Sequence, residues 1–345
     1  MKIRLGNVEI FSPTFLFDFM KWRKFTLTLS VAMVIAAIAV LVFKGINYSI
    51  DFLGGAEVQI SLTDSSYTRE KVLELAQAAK VGSVEVTSID AADKDSKLAY
   101  VIRIQRERGQ DEAEVGGKAE ELFKSLQASI GADKVTLGSK TNISGKIGKE
   151  EENRGYLALL LSFLGILAYI ALRFDARFSP GAVLCLVHDV IIALGIMTLL
   201  DHPFTTASIA AFLTIVGYSI NDTVIVYDRI RETQETSPKM PIVDVINRSI
   251  SQTMNRTFLT SSTTLVALLV LIYLGGGAIE DFAQTMFVGI LVGTYSSIYV
   301  AAPLTITMDG LMKRLGWKPV DPAQKAKLKK DPNDIPPVII RRRPS

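Results

Sequence analysis

The chain has 345 residues, 49% of which are apolar, and a formal net charge of +3 at pH 7. So small an excess of basic residues gives no reason to expect nucleic-acid binding. The single cysteine, Cys185, excludes an internal disulfide and a multi-cysteine metal site, and two histidines are too few for a metal site built from histidines alone.

Six apolar segments are long enough to cross a bilayer, whose core needs about 20 helical residues. The first, Phe25–Phe43, carries no charge and follows three basic residues, as the core of a secretory signal does. It is too long for a typical signal core and no small-residue cleavage site follows it, so we interpret it as an uncleaved transmembrane helix. The other five predicted spans are Tyr156–Leu172, Gly181–Leu200, Phe204–Tyr227, Thr257–Leu274 and Phe282–Leu304.

The distribution of Lys and Arg predicts the orientation of these spans. With the N-terminus inside, the inner segments hold 22 basic residues, whereas the short outer loops Asp201–Pro203 and Gly275–Asp281 hold none. Both termini are therefore predicted to be cytoplasmic, and the long segment 44–155 is predicted to be extracytoplasmic.

The segment 44–155 is too polar for the bilayer and long enough to fold as a domain. Apolar residues spaced as in helices predict one helix with Thr68 as its N-cap and a second that ends at Gly131. The order β-α-β-β-α-β suggests a small ferredoxin-like sheet with helices on one face. Alternation of apolar and polar residues predicts its strands at Glu57–Leu62, Ser83–Thr87, Leu98–Ile104 and, more weakly, Lys134–Leu137.

The predicted fold class is thus a membrane all-α bundle of six transmembrane helices with an inserted α+β domain. Prolines interleaved with basic residues near the C-terminus predict a disordered tail that is attracted to anionic lipid. The predicted divisions are the cytoplasmic segment 1–24, the first helix 25–43, the periplasmic domain 44–155, the helices of 156–304 and the cytoplasmic tail 305–345.

Ionisable residues occur inside the predicted spans. Inserting each of them into the bilayer costs roughly 2.5–3.5 kcal/mol of free energy, so the presence of each residue requires an explanation. At a rise of 1.5 Å per residue, Asp222 lies about 27 Å along the fourth span and Asp189 about 12 Å into the third. Arg256 stands at the inner end of the fifth span. Because the three depths roughly coincide, a buried Asp222–Arg256 pair with a second carboxylate nearby is expected on the inner third of the bundle.

Two interpretations of these residues are open. A desolvated carboxylate beside a cation can gain and lose a proton, so Asp222 and Arg256 would form a proton relay, joined by Asp189 and His188. Alternatively, Asp222 and Arg256 form a static pair that fixes helix packing, or the Arg256 side chain extends to the lipid headgroups.

The residues Asp51, Gly54 and Gly55 lie where the first span becomes the soluble domain. Paired glycines allow a sharp turn or a close approach of two backbones, so this segment is either a hinge or an ordinary turn into the first strand.

Several stretches together carry a family resemblance. The main stretches are Ile50–Gly55 (IDFLGG), Val216–Glu232 (VGYSINDTVIVYDRIRE) and Asn247–Thr264. With His188-Asp189 and Phe17–Lys21, they resemble the SecF branch of the SecD/SecF family of protein-export membrane proteins, which belongs to the RND superfamily. The resemblance covers essentially the whole chain.

The resemblance implies a SecF-like subunit of the Sec protein translocase that uses the proton motive force to promote preprotein translocation across the bacterial inner membrane. Protons would be the coupling ion, and no cofactor or metal is implied. The implied partners are SecD, the SecYEG translocon, YidC- or YajC-like proteins, preproteins and membrane lipids. The implied proton-relay residues are Asn221, Asp222, Arg256, Asp189 and His188.

Two other functions stay open. Six spans and one loop domain make half of an RND-type small-molecule transporter, and a structural translocon subunit would move no ions. No Walker motif, nucleophile triad or zinc-binding motif is visible in the sequence, so an enzyme is not expected.

Overall fold

The computed structural model describes residues 17–89, 98–106, 112–143, 145–173 and 178–314. The predicted N-terminal segment is described from residue 17 onward, and the predicted tail beyond residue 314 lies outside the described residues, as does Arg177. Within the described ranges, six helices are long and apolar enough to cross a membrane, which confirms the six predicted spans.

Each predicted span corresponds to one long helix. A 3₁₀ turn, Phe19–Trp22, precedes the first helix, and the sixth continues through a π-helical turn, Ser297–Ala301, into helix α10, Ala302–Arg314. The six helices are α1 (Arg23–Phe43), α5 (Gly145–Arg173), α6 (Ser179–Leu199), α7 (Thr206–Thr236), α8 (Ile242–Leu274) and α9 (Gly277–Ser296).

Three of these helices extend well beyond the predicted spans. Helix α5 begins at Gly145, α7 continues to Thr236 and α8 begins at Ile242. The added turns carry charged residues that suit water or headgroups, so a search for apolar windows finds only the apolar part of each helix. The boundaries of the membrane along these helices stay a prediction.

Helices α6, α7 and α9 form the centre of the bundle. In each of them 56% of the apolar window is buried, compared with 17%, 11% and 17% for α1, α5 and α8. Small residues allow the central helices to approach closely: a Cβ on Gly289 of α9 would lie 2.2 Å from a side-chain atom of Ile215 on α7.

From β1 to β4, the described residues form one antiparallel sheet and two helices in the predicted order β-α-β-β-α-β, with the strands arranged β2-β3-β1-β4. The apolar face of the sheet and the two helices share one core, in which Val58, Ile60 and Leu62 are fully buried. The elements are β1 (Gly55–Leu62), α3 (Arg69–Ala78), β2 (Val84–Ile89), β3 (Leu98–Gln105), α4 (Glu112–Ile130) and β4 (Val135–Ile143).

Strand β4 is longer than the predicted Lys134–Leu137. It extends from Val135 to Ile143 as an edge strand paired with β1, and most of its side chains are exposed. With few buried positions, the strand lacks the alternation of apolar and polar residues by which a half-buried strand is recognised.

The opposite face of the sheet carries a row of charges. Arg103 of β3 pairs in register with Glu57 of β1 on one side and with Glu85 of β2 on the other. The Arg103 Nε lies 3.2 Å from the Glu57 carboxylate. The half-buried charged row Glu85–Arg103–Glu57 is therefore separate from the apolar core of the domain.

The domain rests on one end of the bundle, which we call the domain end. A short helix α2, Ile50–Leu53, connects α1 to β1 and contacts α5. The preceding segment forms backbone hydrogen bonds with Phe204, just before α7: Phe204 N donates to Asn47 O at 2.7 Å, and Ser49 N donates to Phe204 O at 3.0 Å. At a second contact, a Cβ on Gly276 would lie 2.7 Å from the Ser88 carbonyl oxygen of β2.

Candidate proton-transfer site

Asp222 lies in the middle of α7 and is only 8% exposed. Among the described residues its carboxylate has no hydrogen-bond donor and no ion-pair partner within 4.0 Å. A buried carboxylate without a donor is costly when it is ionised, so this position needs a proton or a counter-charge.

Arg256 on α8 supplies a charge at longer range. Its side chain is exposed, although its charge is close enough to interact electrostatically with Asp222. Arg256 lines an open cleft between α7 and α8 together with Asp228, Arg229 and Gln252. The buried Asp222–Arg256 contact pair expected from the sequence is therefore not formed in this structure.

Asn221 lies on a different face of α7 from Asp222. It is exposed, in line with the exposed residues Gly217 and Tyr218 about one turn earlier. An amide side chain that faces outward from an apolar helix needs a polar partner, because lipid offers none.

Asp189 on α6 is at the centre of a fully buried polar network. Its Oδ2 accepts hydrogen bonds from the hydroxyl of Ser219 on α7 at 2.5 Å and from that of Ser296 on α9 at 2.8 Å. The thiol of Cys185 donates to Ser296 Oγ at 3.2 Å. The carboxylate thus joins the three central helices through hydroxyl groups, each of which can both donate and accept a proton.

His188 also belongs to this network. Its Nδ1 lies 2.8 Å from Asp189 Oδ1, while its buried Nε2 has no hydrogen-bond partner among the described residues. The hydroxyl of Thr223, which follows Asp222 on α7, is likewise buried without a described partner. Sequence reasoning singled out His188 and Asp189 but missed Ser219 and Ser296, because an isolated serine in an apolar helix gives no local signal.

At the domain end, Asp51 contacts the start of helix α7. Its Oδ2 accepts hydrogen bonds from the backbone N–H of Thr206 at 2.9 Å and from the Thr206 hydroxyl at 3.1 Å. Thr206 is the first residue of α7, so a carboxylate here also interacts favourably with the helix dipole. The helix that carries Asp222 is therefore attached at its other end to the segment that leads into the domain.

The two glycines after Asp51 serve different geometric needs. Gly54 ends α2 with a φ of +76°, a conformation that other residues rarely adopt. A Cβ on Gly55 would lie 2.3 Å from the carbonyl oxygen of Ile104, so that position requires a close approach of backbone to backbone. Gly148 of α5 similarly faces the backbone of α2. The proposed hinge role stays a prediction.

Two sequence profiles match this chain. One, described as "Protein export membrane protein SecD/SecF, C-terminal", covers residues 123–310, and the other, the "SecD/SecF GG Motif", covers residues 39–65. The chain belongs to the SecD/SecF family. The GG motif region contains Asp51, Gly54 and Gly55, and the C-terminal region contains the intramembrane carboxylates Asp189 and Asp222.

The relatives within the SecD/SecF family match along most of their length. A protein translocase subunit SecF from Petrotoga mobilis is 34% identical over 301 residues, which cover 86% of this chain and 96% of the relative. Another, from Rickettsia rickettsii, is 37% identical over 289 residues, which cover 84% and 90% of the two chains.

Solved SecD/SecF structures show the same fold. The crystal structure of SecDF, a translocon-associated membrane protein from Thermus thermophilus, matches with a TM-score of 0.71 and 33% identity over 88% of this chain. A SecDF structure in a super-membrane-facing form matches with a TM-score of 0.66 and 34% identity. The present chain spans 40% of the length of each of these SecDF chains.

Proposed function

We propose that this chain is a SecF-like subunit of the Sec protein translocase that uses proton movement through its helical bundle to promote preprotein transport across the bacterial inner membrane. The observation that carries the proposal is the buried Asp222 carboxylate, which has no hydrogen-bond donor among the described residues. Such a group needs a proton or a counter-charge, and a membrane protein seldom retains an ionisable residue in a span without a functional reason.

The polar groups around Asp222 suggest how a proton would move. Ser219 lies about one turn before Asp222 on α7 and donates to Asp189, so two carboxylates are placed on neighbouring central helices. A proton arriving at Asp189 would pass through the serine hydroxyls or water to Asp222, and from there towards the open cleft beside Arg256. The Arg256 charge favours release, because it stabilises the ionised form of Asp222.

The exposed face of α7 supports a partner of SecD type. Although α7 is a central helix, it leaves a row of small and polar residues uncovered, which suits contact with another helix better than contact with lipid. A second six-helix half would cover this row and complete an RND-like unit. The exposed residues of the row are Thr206, Ala210, Gly217, Tyr218 and Asn221.

We further propose that the domain is ferredoxin-like and periplasmic and that both termini are cytoplasmic. The strand order β2-β3-β1-β4 supports the first assignment, and the basic residues beyond the other end of the bundle support the second. Two matched cysteine variants test the orientation in a Cys185→Ala background. An impermeant thiol reagent added outside should label Lys44→Cys at the domain end but not Lys239→Cys, and the reverse pattern would overturn the assignment.

The substitution Asp222→Asn tests the coupling function. Asn is nearly isosteric but cannot cycle a proton, so the variant should assemble normally and lose the part of export that depends on the proton gradient. The measurement is export of a reporter preprotein into sealed inverted vesicles, with and without an ionophore, with a SecD-type partner present. Glu235→Gln is the matched control, because Glu235 lies on the same helix but outside the cleft and pairs with Arg231.

The outcomes separate coupling from a purely structural role. If Asp222 only supports packing, Asp222→Asn will remain fully active and sensitive to the ionophore, which would refute the proposal. Since Arg256 acts without a direct contact, Arg256→Lys should retain most of the gradient-dependent export, whereas Arg256→Ala should lose most of it.

A further inference from the structure

A histidine and a carboxylate form a second buried pair at the domain end of the bundle. His202 lies in the short loop between α6 and α7, and Asp281 lies near the start of α9. Their side chains are 10% and 12% exposed, and His202 Nε2 is 3.6 Å from Asp281 Oδ1. This pair is separate from the Asp189 network and from Asp222.

The hydrogen bonding of His202 determines how many protons the pair can hold. Its Nδ1 lies 3.1 Å from the carbonyl oxygen of Pro203, which can only accept, so Nδ1 carries a hydrogen. In a neutral ring Nε2 then presents a lone pair towards Asp281. A lone pair facing an ionised carboxylate is repelled, whereas one added proton makes either an imidazolium–carboxylate pair or an imidazole–carboxylic acid pair. The geometry therefore suits one bound proton.

Charged groups from several elements face this pair. Burial lowers the pKa of His202, and burial also raises the pKa of Glu85, whose charge acts on the histidine. Lys44 and Asp201 form an exposed ion pair in the same region, at 2.9 Å. The other groups that face the pair are Glu280 and Gln284 of α9, Arg69 of α3, Arg103 of β3 and Asp51 of α2.

A small cavity adjoins His202, with both polar and apolar residues in its lining. It has room for about one water molecule and is lined by His202, Ser208 of α7 and Thr285 of α9, among others. The Thr285 hydroxyl, which is 1% exposed, has no hydrogen-bond partner among the described residues. Thr285 follows Asp281 by one helical turn, so α9 continues the polar path inward from the pair.

Apolar side chains separate this cavity from the Asp189 network. The next layer of the bundle core contains Phe212 and Ile215 of α7 together with Met286 and Ile290 of α9. Beyond that layer the same two helices supply Ser219 and Ser296, the hydroxyl donors to Asp189. The bundle thus contains two polar sites with an apolar barrier between them.

We propose that His202 and Asp281 form a proton-binding site that loads a proton from the extracytoplasmic side before it crosses the apolar layer to Asp189. The site takes up a single proton between His202 Nε2 and an Asp281 oxygen and releases it to the Thr285 side of the cavity. This inference rests on the proposed function, because loading is useful only if protons cross the bundle.

Nuclear magnetic resonance of ¹⁵N-histidine tests the binding step directly, because the chain has only two histidines. The full chain is titrated in a lipid nanodisc, and His202→Gln assigns the signals. Replacing Asp281 with Asn removes the anion that stabilises the imidazolium, so the midpoint of the His202 titration should fall by about one pH unit or more. Asp201→Asn, the same change at an exposed residue of the same loop that pairs with Lys44, should shift it by much less. Equal midpoints in the wild type and Asp281→Asn would overturn the proposal.

Export in inverted vesicles tests the coupling step. His202→Gln and Asp281→Asn should each reduce the gradient-dependent part of export several-fold, whereas Asp201→Asn should not. Normal gradient-dependent export in both variants would overturn the proposal even if the two residues titrate together. Failure of the proposed function can be distinguished from failure of this proposal. If the proposed function is wrong, the wild-type protein itself will show no gradient-dependent export, and the histidine titration still tests proton binding by the pair.

Discussion

The carboxylate of Asp51 accepts two hydrogen bonds from Thr206, a residue 155 positions further along the chain. The contact connects the segment that enters the soluble domain to the first residue of α7, which carries Asp222 near its middle. A movement of the domain that displaces Asp51 would therefore act on α7 through these bonds.

We expect Asp51→Ala to lower the stability of the protein by about 0.5–2 kcal/mol, because the first backbone N–H of α7 loses a charged acceptor at an exposed helix N-terminus. The apparent melting temperature in detergent measures this effect. Thr206→Val removes only the hydroxyl bond and keeps the backbone N–H, so its effect should be smaller. Equal stability of Asp51→Ala and the wild type would show that the contact contributes nothing to the fold.

Two glycines of α5 make a matched pair for testing the contact between α5 and α2. A Cβ on Gly148 would lie 2.5 Å from the carbonyl oxygen of Phe52, whereas a Cβ on Gly165 would meet nothing within 4 Å. Gly148→Ala should therefore destabilise the protein, while Gly165→Ala should be neutral or stabilise it by up to about 1 kcal/mol through helix propensity. Thermal denaturation of the two variants compares them, and a harmless Gly148→Ala would contradict the close contact.

The Asp189 network predicts a specific cost for losing a serine hydroxyl. Ser296→Ala removes one donor from a fully buried carboxylate, which should cost about 1–3 kcal/mol and reduce gradient-dependent export. Thr263→Ala on α8 is the control, since that exposed hydroxyl bonds only to its own helix backbone. If the two variants were equally stable and equally active, the network would have no role in either property.

Glu85 predicts a pH dependence of stability. Burial raises its pKa above the usual value of 4.5, so the folded protein binds this proton more tightly than the unfolded chain does. The stabilisation that comes from this bound proton is fully present below pH 4.5. It is lost as the pH rises through the raised pKa that Glu85 has in the folded protein. Glu85→Gln should therefore flatten the decline in melting temperature between pH 4.5 and neutrality. Glu121→Gln, at an exposed position on α4, should keep the wild-type slope, and identical slopes in both variants would contradict the assignment.

Local periodicity predicted much of the architecture. The six spans follow from apolar length, and Val58, Ile60 and Leu62 face the domain core as their alternation indicates. These features are predictable because the pattern and the burial belong to the same short segment. The short helix α2 was missed because four residues are too few to show a helical period, and the full length of β4 was missed because most of its side chains are exposed.

The candidate site was only partly predictable, for a geometric reason. Helix rise gives the depth of a residue, which placed Asp222 and Arg256 at similar heights, but not the direction in which each side chain points after packing. Arg256 is exposed, so equal depth did not produce a contact pair. The pairs Asp51–Thr206 and His202–Asp281 join residues that are distant in the chain, and only the tertiary fold brings them together.

The domain enters and leaves the bundle through neighbouring strands. Strand β1 follows α2 and β4 precedes α5, and Gly55 of β1 pairs in register with Ile143 of β4. Adjacent strands lie about 4.8 Å apart, so the two attachment points occupy almost the same place. Because the attachment points are adjacent, we expect that a short turn could replace the domain without moving the ends of α1 and α5. Another domain whose termini lie side by side could be inserted in the same place.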